Sequence, residues 1–440
     1  MRSNFVLYGI YQFLKLLVRI SLGLFYPQTR VTGREHLKLK GPTLLATNHP
    51  NTLIDALNGA SRVDEQVFFI VNASMFQSPL QRWFFTTFYC IPIERPQDTK
   101  GRQINNKEAF DRCNEHLSKG GHLFIAPEGG SVLERGLRPL KTGTARIGFS
   151  AEQEHDFQLG VRILPVCFNY EQANKFGTRL LVNVGEPILL NDFEAACAAD
   201  ARQAAKRITG LLEDRMRRLL IDTNSPEEDQ LVRRLETILR NEIPDHQEAQ
   251  FHRSKRLIAS LRRLQKEDPA AYQGYEQQVS NYFQLLEQQR LDDTVLSQAM
   301  HNRPVRHLTG ALALLLGLPA FLYGLGNNFL PYFIPKWINR RLDLYIGYHA
   351  TVKILCGLLT FPLFYTLQTW LIAQLTAWPL PLIYFISLIP LGYFAHWYPG
   401  FYRQVGARWG WKQLQHQQSG LPRKILEERR EIWSRIREFI

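Results

Sequence analysis

The sequence predicts an α/β domain whose sheet is covered by helices on both faces, joined to a helical insertion and C-terminal transmembrane helices. Three observations carry that expectation. Between residues 41 and 187 short β-rich runs alternate with helical ones. From 191 to 300 the chain is rich in Arg, Glu, Gln and Leu and is broken at Asn224-Ser225-Pro226, Ile243-Pro244-Asp245 and Asp268-Pro269. Beyond His307 long apolar stretches carry few charges. A length of 440 residues accommodates two or three such units. The expected boundaries are 1–30 for an interfacial amphipathic helix, 31–190 for the α/β domain, 191–303 for a helical cytosolic subdomain, 304–400 for membrane segments and 401–440 for a basic cytosolic tail.

In the N-terminal segment Asn4, Tyr8, Gln12, Lys15 and Arg19 recur at steps of three and four, placing a narrow polar stripe on an otherwise apolar helix. Lys15 and Arg19 interrupt the apolar run and no small-residue cleavage site follows, which argues against a cleaved signal peptide. The stripe suits a helix lying in the membrane surface. Packing on the core of its own domain is the other reading.

Strands are expected at 43–47, 66–71, 88–93, 122–126, 163–169 and 180–184, with helices at 52–60, 79–87, 105–118 and 142–152. The strands are nearly all apolar, so both faces of the sheet should be covered. In the helical insertion, charges such as Arg217, Arg218, Arg233 and Arg234 read as solvated faces.

Three apolar stretches lie near the C-terminus, against the roughly 20 residues needed to cross a bilayer. Two read as spans, 354–375 and 378–398, edged by Trp370, Trp378, Trp397 and Tyr398. The first is interrupted by Gly324, Gly326, Asn327, Asn328, Pro331 and Pro335, and reads as a re-entrant hairpin over 308–335. Lys336, Arg340, Arg341 and Lys353 precede the second stretch, and Arg403, Arg408, Lys412, Arg423 and Lys424 follow the third. Both groups prefer the cytoplasmic side, and two full spans put both there with the α/β domain.

A formal charge of +13 fits nucleic acid, an anionic membrane or acidic small substrates. The apolar ends favour a lipid bilayer. Nucleic acid is excluded as a partner, because acidic residues are mixed through the basic helices and no recognition motif appears. The five cysteines are scattered without a CxxC pair and read as reduced thiols facing a cytoplasm. His49, His116 and His122 stand at no metal-ligand spacing and no HExxH occurs, so no metal is expected.

The most informative segment is Ala46-Thr-Asn-His-Pro-Asn-Thr-Leu-Ile-Asp55, an apolar strand ending in Asn48-His49 with an acid six positions on. Acyl transfer to an alcohol needs a base for the hydroxyl proton, and neutral imidazole suits the task. A carboxylate on the other ring nitrogen would hold the tautomer, as in a serine-enzyme triad without the serine. A polar loop capping the next helix, with Asp55 as an early-turn charge, is the bland alternative. Three further segments bear on it. Ile93-Glu94-Arg95 ends a strand with a cation able to grip phosphate, or simply a surface ion pair. Pro127-Glu128-Gly129-Gly130-Ser131 brings an acid and two glycines to a loop, followed by the basic Arg135, Arg138 and Lys141-Thr142-Gly143 before a helix. Leu164-Pro165-Val166 interrupts an apolar strand, which points to an edge or a bulge.

In order and spacing these blocks resemble those of the phospholipid/glycerol acyltransferase family, over residues 40–190. The resemblance implies a mixed central sheet flanked by helices, with His49 and Asp55 as catalytic dyad. It also implies that Asn48, Arg95, Glu128, Gly129, Lys141, Gly143 and Pro165 form the acceptor site. Two departures stand out. The family usually separates His and Asp by four residues, and this chain has five. Six helical positions rotate by about 600°, so a turn must join the pair. The longer spacer resembles a branch with fungal glycerol-3-phosphate and dihydroxyacetone-phosphate acyltransferases, which also carry a helical insertion and C-terminal membrane segments. Gly130-Ser131 stands where the family commonly has Thr-Arg, and Arg135 or Arg138 would replace the missing cation.

The implied activity is O-acyl transfer from an acyl thioester, on coenzyme A or acyl carrier protein, to glycerol 3-phosphate or 1-acylglycerol 3-phosphate. No metal or bound cofactor is expected, and the protein should be integral to the membrane with its catalytic domain on the cytoplasmic face. Another lysolipid or an amino-acid-headed lipid as acceptor, or a non-catalytic membrane scaffold of the same fold, are the alternatives. The complete His-Asp and Glu-Gly set argues against the scaffold.

Overall fold

A computed structural model describes residues 5–95, 103–301, 307–417 and 420–440. The chain forms two compact units, Met1–Asp222 with Asn339–Leu358, and Thr223–Ile338 with Leu359–Ile440.

The first unit is built on strands β1 (Gln28–Thr32), β2 (Thr43–Thr47), β3 (Val67–Asn72), β4 (Cys90–Ile93), β5 (His122–Ile125), β6 (Arg162–Tyr170), β7 (Arg179–Val184) and β8 (Ile188–Leu189). They form one mixed sheet in the order β1-β7-β6-β2-β5-β3-β4, with β8 also pairing β6. From β6 through β2, β5 and β3 to β4 every neighbouring pair is parallel. Their C-terminal ends therefore open at one edge, where ligands of such sheets bind. β7 and β8 run antiparallel to β6, and β1 is parallel to β7.

Alternation along the strands divides the core in two. Leu44, Ala46, Leu123, Ile125, Ile163 and Cys167 enter one core together with side chains of α4 (Lys107–Ser118), α5 (Gly143–Gln153) and α7 (Ala201–Leu219). Leu45, Phe124, Leu164, Val166 and Phe168 enter the other. There they meet α2 (Leu53–Arg62), Leu22 and Phe25 at the end of α1 (Phe5–Phe25), and Ala350 and Ile354 at the start of α13 (His349–Leu375). Leu44, Leu123 and Ile163 have no solvent exposure, and each such burial contributes about 1.5–3 kcal/mol relative to exposure. Two short helices, α3 (Pro79–Thr87) and α6 (Glu194–Ala199), complete the unit.

Helix α1 uses its two faces differently. Lys15 Nζ donates to the carbonyls of Asp64 and Glu65, both at 3.0 Å, and Arg19 Nε to that of Ser61 at 2.6 Å, just past the end of α2 and at its last turn. The cations of the polar stripe thus tie the helix to its own domain, while Val6, Phe13, Leu16 and Ile20 are exposed.

Several elements differ from expectation. β1 and β8 were not expected as strands: β1 is a half-exposed edge strand of mostly polar residues, and β8 has two residues. Neither carries a run long enough to signal itself. The α/β unit extends to Asp222 and not to 190, because Ala204, Ala205, Ile208, Leu212 and Met216 place one apolar face of α7 on the first core. Pro165 lies on an interior strand, paired with Ala46, and not at an edge. Its missing N–H is tolerated because the neighbour changes there: β8 pairs Arg162 and Ile163, β7 pairs from Val166 onward, and the Pro165 carbonyl accepts from Gly185 N at 2.9 Å.

In the second unit α8 (Pro226–Glu242), α9 (Gln247–Glu267), α10 (Pro269–Gln288), α11 (Asp293–Met300) and α15 (Leu421–Phe439) pack on one another, burying Leu235, Leu257, Val279, Leu296 and Ile432. The breaks seen in the sequence are helix starts, with Ser225 and Asp268 accepting backbone N–H bonds as N-caps of α8 and α10. Residues 401–440, expected as a tail, are instead the end of α14 (Leu380–His416) and the docked α15. Arg429 of α15 explains the docking: fully buried, it donates to Asp293 at 2.8 and 3.0 Å and to Glu242 at 2.6 Å.

The expected re-entrant hairpin is instead continuous helix, α12 (His307–Arg341). Asn327 and Asn328 do not break it, because their amides donate to the carbonyls of Tyr323 and Gly324 one turn back while their oxygens accept from Tyr384 and Tyr365. Gly310, Gly317 and Gly324 present a small-residue stripe to Val405, Tyr398 and Leu391 of α14, allowing close helix approach. Among the described residues four helices are long and apolar enough to cross a membrane: Val6–Phe25, Leu308–Arg341, Ile346–Leu375 and Leu380–His416.

Candidate active site

The loops leaving β2, β4 and β5 meet at the open edge of the sheet. Past Thr47 at the end of β2, Asn48 continues the pairing with its side chain, donating from Nδ2 to Phe168 O at 3.1 Å and accepting from Phe168 N at 2.8 Å. This fixes where His49 leaves the sheet. His49 Nδ1 lies 3.1 Å from Asp55 Oδ2, with the histidine side chain 20% exposed and the carboxylate 0%.

A turn brings the pair together. Ile54 N donates to Asn51 O at 3.1 Å, and Thr52 stands at φ 47°, ψ −126°. That is the first central position of a type II′ turn, glycine's by default. Holding a β-branched residue there costs about 1–3 kcal/mol. Helix α2 begins directly afterwards, so Asp55 falls in its first turn. The fifth spacer residue is thus absorbed in the Thr52 turn. Thr52 N donates to Ser131 Oγ at 3.1 Å, so the two departures from the family pattern touch each other.

Asp55 is held on every side. Oδ2 also accepts from Asn51 N at 2.7 Å, and Oδ1 accepts from the Tyr170 hydroxyl at 2.9 Å. Burial pushes its carboxyl above the ordinary aspartate range, opposed by the donors from His49, Asn51 and Tyr170. Tyr170 accepts in turn from Asn58 Nδ2 at 3.1 Å; burial and the neighbouring Asp55 charge push its phenol well above the usual value. Asn51 Nδ2 donates to the Tyr26 hydroxyl at 2.8 Å and to Ala173 O at 2.9 Å. With Nδ1–H given to this fixed carboxylate, the imidazole presents Nε2 as a proton acceptor.

Glu128, after β5, accepts from His49 N at 2.8 Å through Oε1 and from Arg138 Nε at 3.1 Å through Oε2. Burial raises its carboxyl, opposed by the His49 N–H and Arg138. Gly129 follows at φ 72°, and a Cβ there would lie 2.6 Å from Lys141 Nζ. Arg95 donates to Gly129 O at 2.8 Å, and Arg138 bonds to Gly130 O. Three cations therefore gather on the Glu128-Gly129-Gly130 loop beside His49. An anion there would meet a preformed positive surface.

The structure thus brings together His49, Asp55, Asn48, Glu128, Gly129, Arg95 and Lys141. Asn48 and Glu128 bond to the protein's own backbone. Gly143 is the first residue of α5, with open space where a β-carbon would stand. Pro165 pairs with Ala46, one residue short of the end of β2. The support of Asp55 by Tyr170, Asn51 and Tyr26 was not legible in sequence: Tyr170 only shares the strand face of Phe168, and Tyr26 carries no local signal. Among the described residues no group of three or more His, Cys, Asp or Glu side chains is placed to hold a metal ion.

Residues 28–169 match the Acyltransferase family model. Similar curated proteins include glycerol-3-phosphate O-acyltransferase 2 of Saccharomyces cerevisiae, 35% identical over 89 residues, covering 20% of this chain and 12% of that protein. Glycerol-3-phosphate O-acyltransferase 1 of the same yeast is 34% identical over 86 residues, 20% of this chain and 11% of that one. The match spans about an eighth of these relatives' length. The crystal structure of the 1-acyl-sn-glycerophosphate acyltransferase PlsC from Thermotoga maritima aligns with 50% of this chain and 84% of its own, at 16% identity and a TM-score of 0.35.

Proposed function

We propose that residues 28–169, which match the Acyltransferase family model, are the catalytic part of a membrane-bound O-acyltransferase acting on a glycerol-phosphate acceptor. The observation that carries this reading is the His49–Asp55 contact beside the cations of the Glu128-Gly129 loop. Arg95, Arg138 and Lys141 would take the acceptor phosphate, setting its hydroxyl against His49 Nε2. Nε2 accepts the hydroxyl proton as the oxygen attacks the thioester carbonyl carbon. Asp55 stays ionised and stabilises the imidazolium. The tetrahedral intermediate expels the thiolate, which takes the proton from Nε2, leaving ester and free thiol. The reaction so written needs no bound cofactor, and acyl-CoA or acyl carrier protein thioester is the co-substrate. Similarity to the two yeast glycerol-3-phosphate O-acyltransferases supports glycerol 3-phosphate as acceptor, with 1-acylglycerol 3-phosphate sharing the phosphate the cations would bind. The apolar helices support a bilayer location, and the Lys and Arg clusters around α13 and α14 support a cytoplasmic catalytic face.

The test uses membranes containing the full chain, labelled long-chain acyl-CoA, and glycerol 3-phosphate, 1-acylglycerol 3-phosphate or other lysolipids as acceptors. His49→Ala should abolish transfer to the acceptor the native protein uses. Full transfer by that variant sinks the mechanism, and preference for an unphosphorylated acceptor sinks the acceptor class.

A further inference from the structure

The strained turn that joins His49 to Asp55 is gripped by a segment 295 to 299 positions further along the chain. Thr52 Oγ1 donates to Gly347 O at 3.0 Å and lies 3.1 Å from Thr351 Oγ1. A hydroxyl has one proton, and Thr52 gives it to Gly347, so in the second contact Thr351 is the donor. Both threonine side chains are buried. The same segment reaches the neighbouring loop and the core: Leu133 N donates to the Tyr345 hydroxyl at 2.8 Å, and Lys353 Nζ donates to Asn174 O at 2.8 Å. Ala350 and Ile354 fill the core under α2. This segment begins the apolar helix Ile346–Leu375, and it lies outside the matched family domain.

We infer that Thr351 is a positioning residue for the His49–Asp55 pair, acting through Thr52 to hold the turn in which the two side chains meet. The inference rests on the acyltransferase reading of the site. The Thr52 conformation is a costly one for a threonine, and its two side-chain bonds go to the foot of α13. The longer His–Asp spacer thus works because the chain supplies an external clamp. The catalytic geometry is thereby tied to the foot of α13.

The test compares Thr351→Val, which keeps shape and removes the donor, with Thr351→Ser, which keeps the donor. In membranes with labelled acyl-CoA and the acceptor used by the native chain, Thr351→Val should lower kcat about tenfold to a hundredfold, the scale of a small misplacement. Both KM values should stay within about twofold, because the variant changes no substrate contact. Thr351→Ser should restore kcat. Glycine tolerates the Thr52 conformation, so Thr351→Val added to Thr52→Gly should cost nothing further. Native kcat in Thr351→Val, or an equal loss in both backgrounds, overturns the clamp. A second readout is independent of turnover: with Thr52→Cys and Thr351→Cys together, oxidation in native membranes should yield a disulfide-linked peptide pair by mass spectrometry. Failure to form it also overturns the contact. Loss of the clamp effects while His49→Ala remains inactive refutes the clamp alone; undiminished turnover in His49→Ala refutes the site reading instead.

Discussion

The backbone N–H of His49 donates to Glu128 Oε1 at 2.8 Å, so the acid of the glycine loop holds the main chain of the base. Glu128 is itself paired with Arg138, which links the histidine loop to the basic rim. Glu128→Ala should therefore lower kcat by about a hundredfold through misplacement of His49. Glu128→Gln keeps an oxygen for the His49 N–H and should cost less. Steady-state kinetics in membranes reads both; equal losses in the two variants would show that the charge matters and the backbone bond does not.

Asp55→Asn keeps the shape but gives the imidazole an uncharged partner. Its kcat should fall about 10²- to 10⁴-fold, with little change in either KM.

The same variant tests the electrostatics of the site. Burial raises the Asp55 carboxyl above the ordinary aspartate range in the folded protein. Between the ordinary and the raised values the folded state keeps a proton that the unfolded state has released, so stability falls as pH rises through that window. Thermal unfolding of the detergent-solubilised protein should therefore show the native chain losing stability relative to Asp55→Asn from about pH 4 upward. A difference that stays constant with pH would contradict the raised carboxyl.

Arg95→Ala removes one cation from the rim. A charge-assisted hydrogen bond is worth about 1.5–3 kcal/mol, so the acceptor KM should rise about ten- to a hundredfold. The acyl-CoA KM should not move. A rise in the thioester KM alone would place Arg95 on the donor side.

In the second unit, Arg429→Met strands two buried carboxylates, Asp293 and Glu242. The expected destabilisation is about 3–5 kcal/mol, read as a lowered unfolding midpoint in detergent. An unchanged midpoint would mean that α15 is held by its apolar face alone, through Ile425, Ile432 and Ile436.

The sequence by itself determined the α/β alternation, the apolar helices and the blocks that carry the chemistry, because each is a local pattern. Strand β2 and helix α3 fall at the expected 43–47 and 79–87. The need for a turn between His49 and Asp55 followed from helical geometry alone. What only the tertiary structure decided depends on residues far apart in the chain. Periodicity does not report that Tyr170 and Tyr26 would close round Asp55 and Asn51, or that Ser131 would hold Thr52. Nor does it report that α7 joins the sheet, that Asn327 and Asn328 are satisfied inside a continuous helix, or that Arg429 buries its charge against Asp293. Apart from α7, which its apolar face seats on the first core, each of these is set by polar groups finding partners once the apolar surfaces have packed. A hydrogen bond between distant side chains leaves no mark on either local sequence.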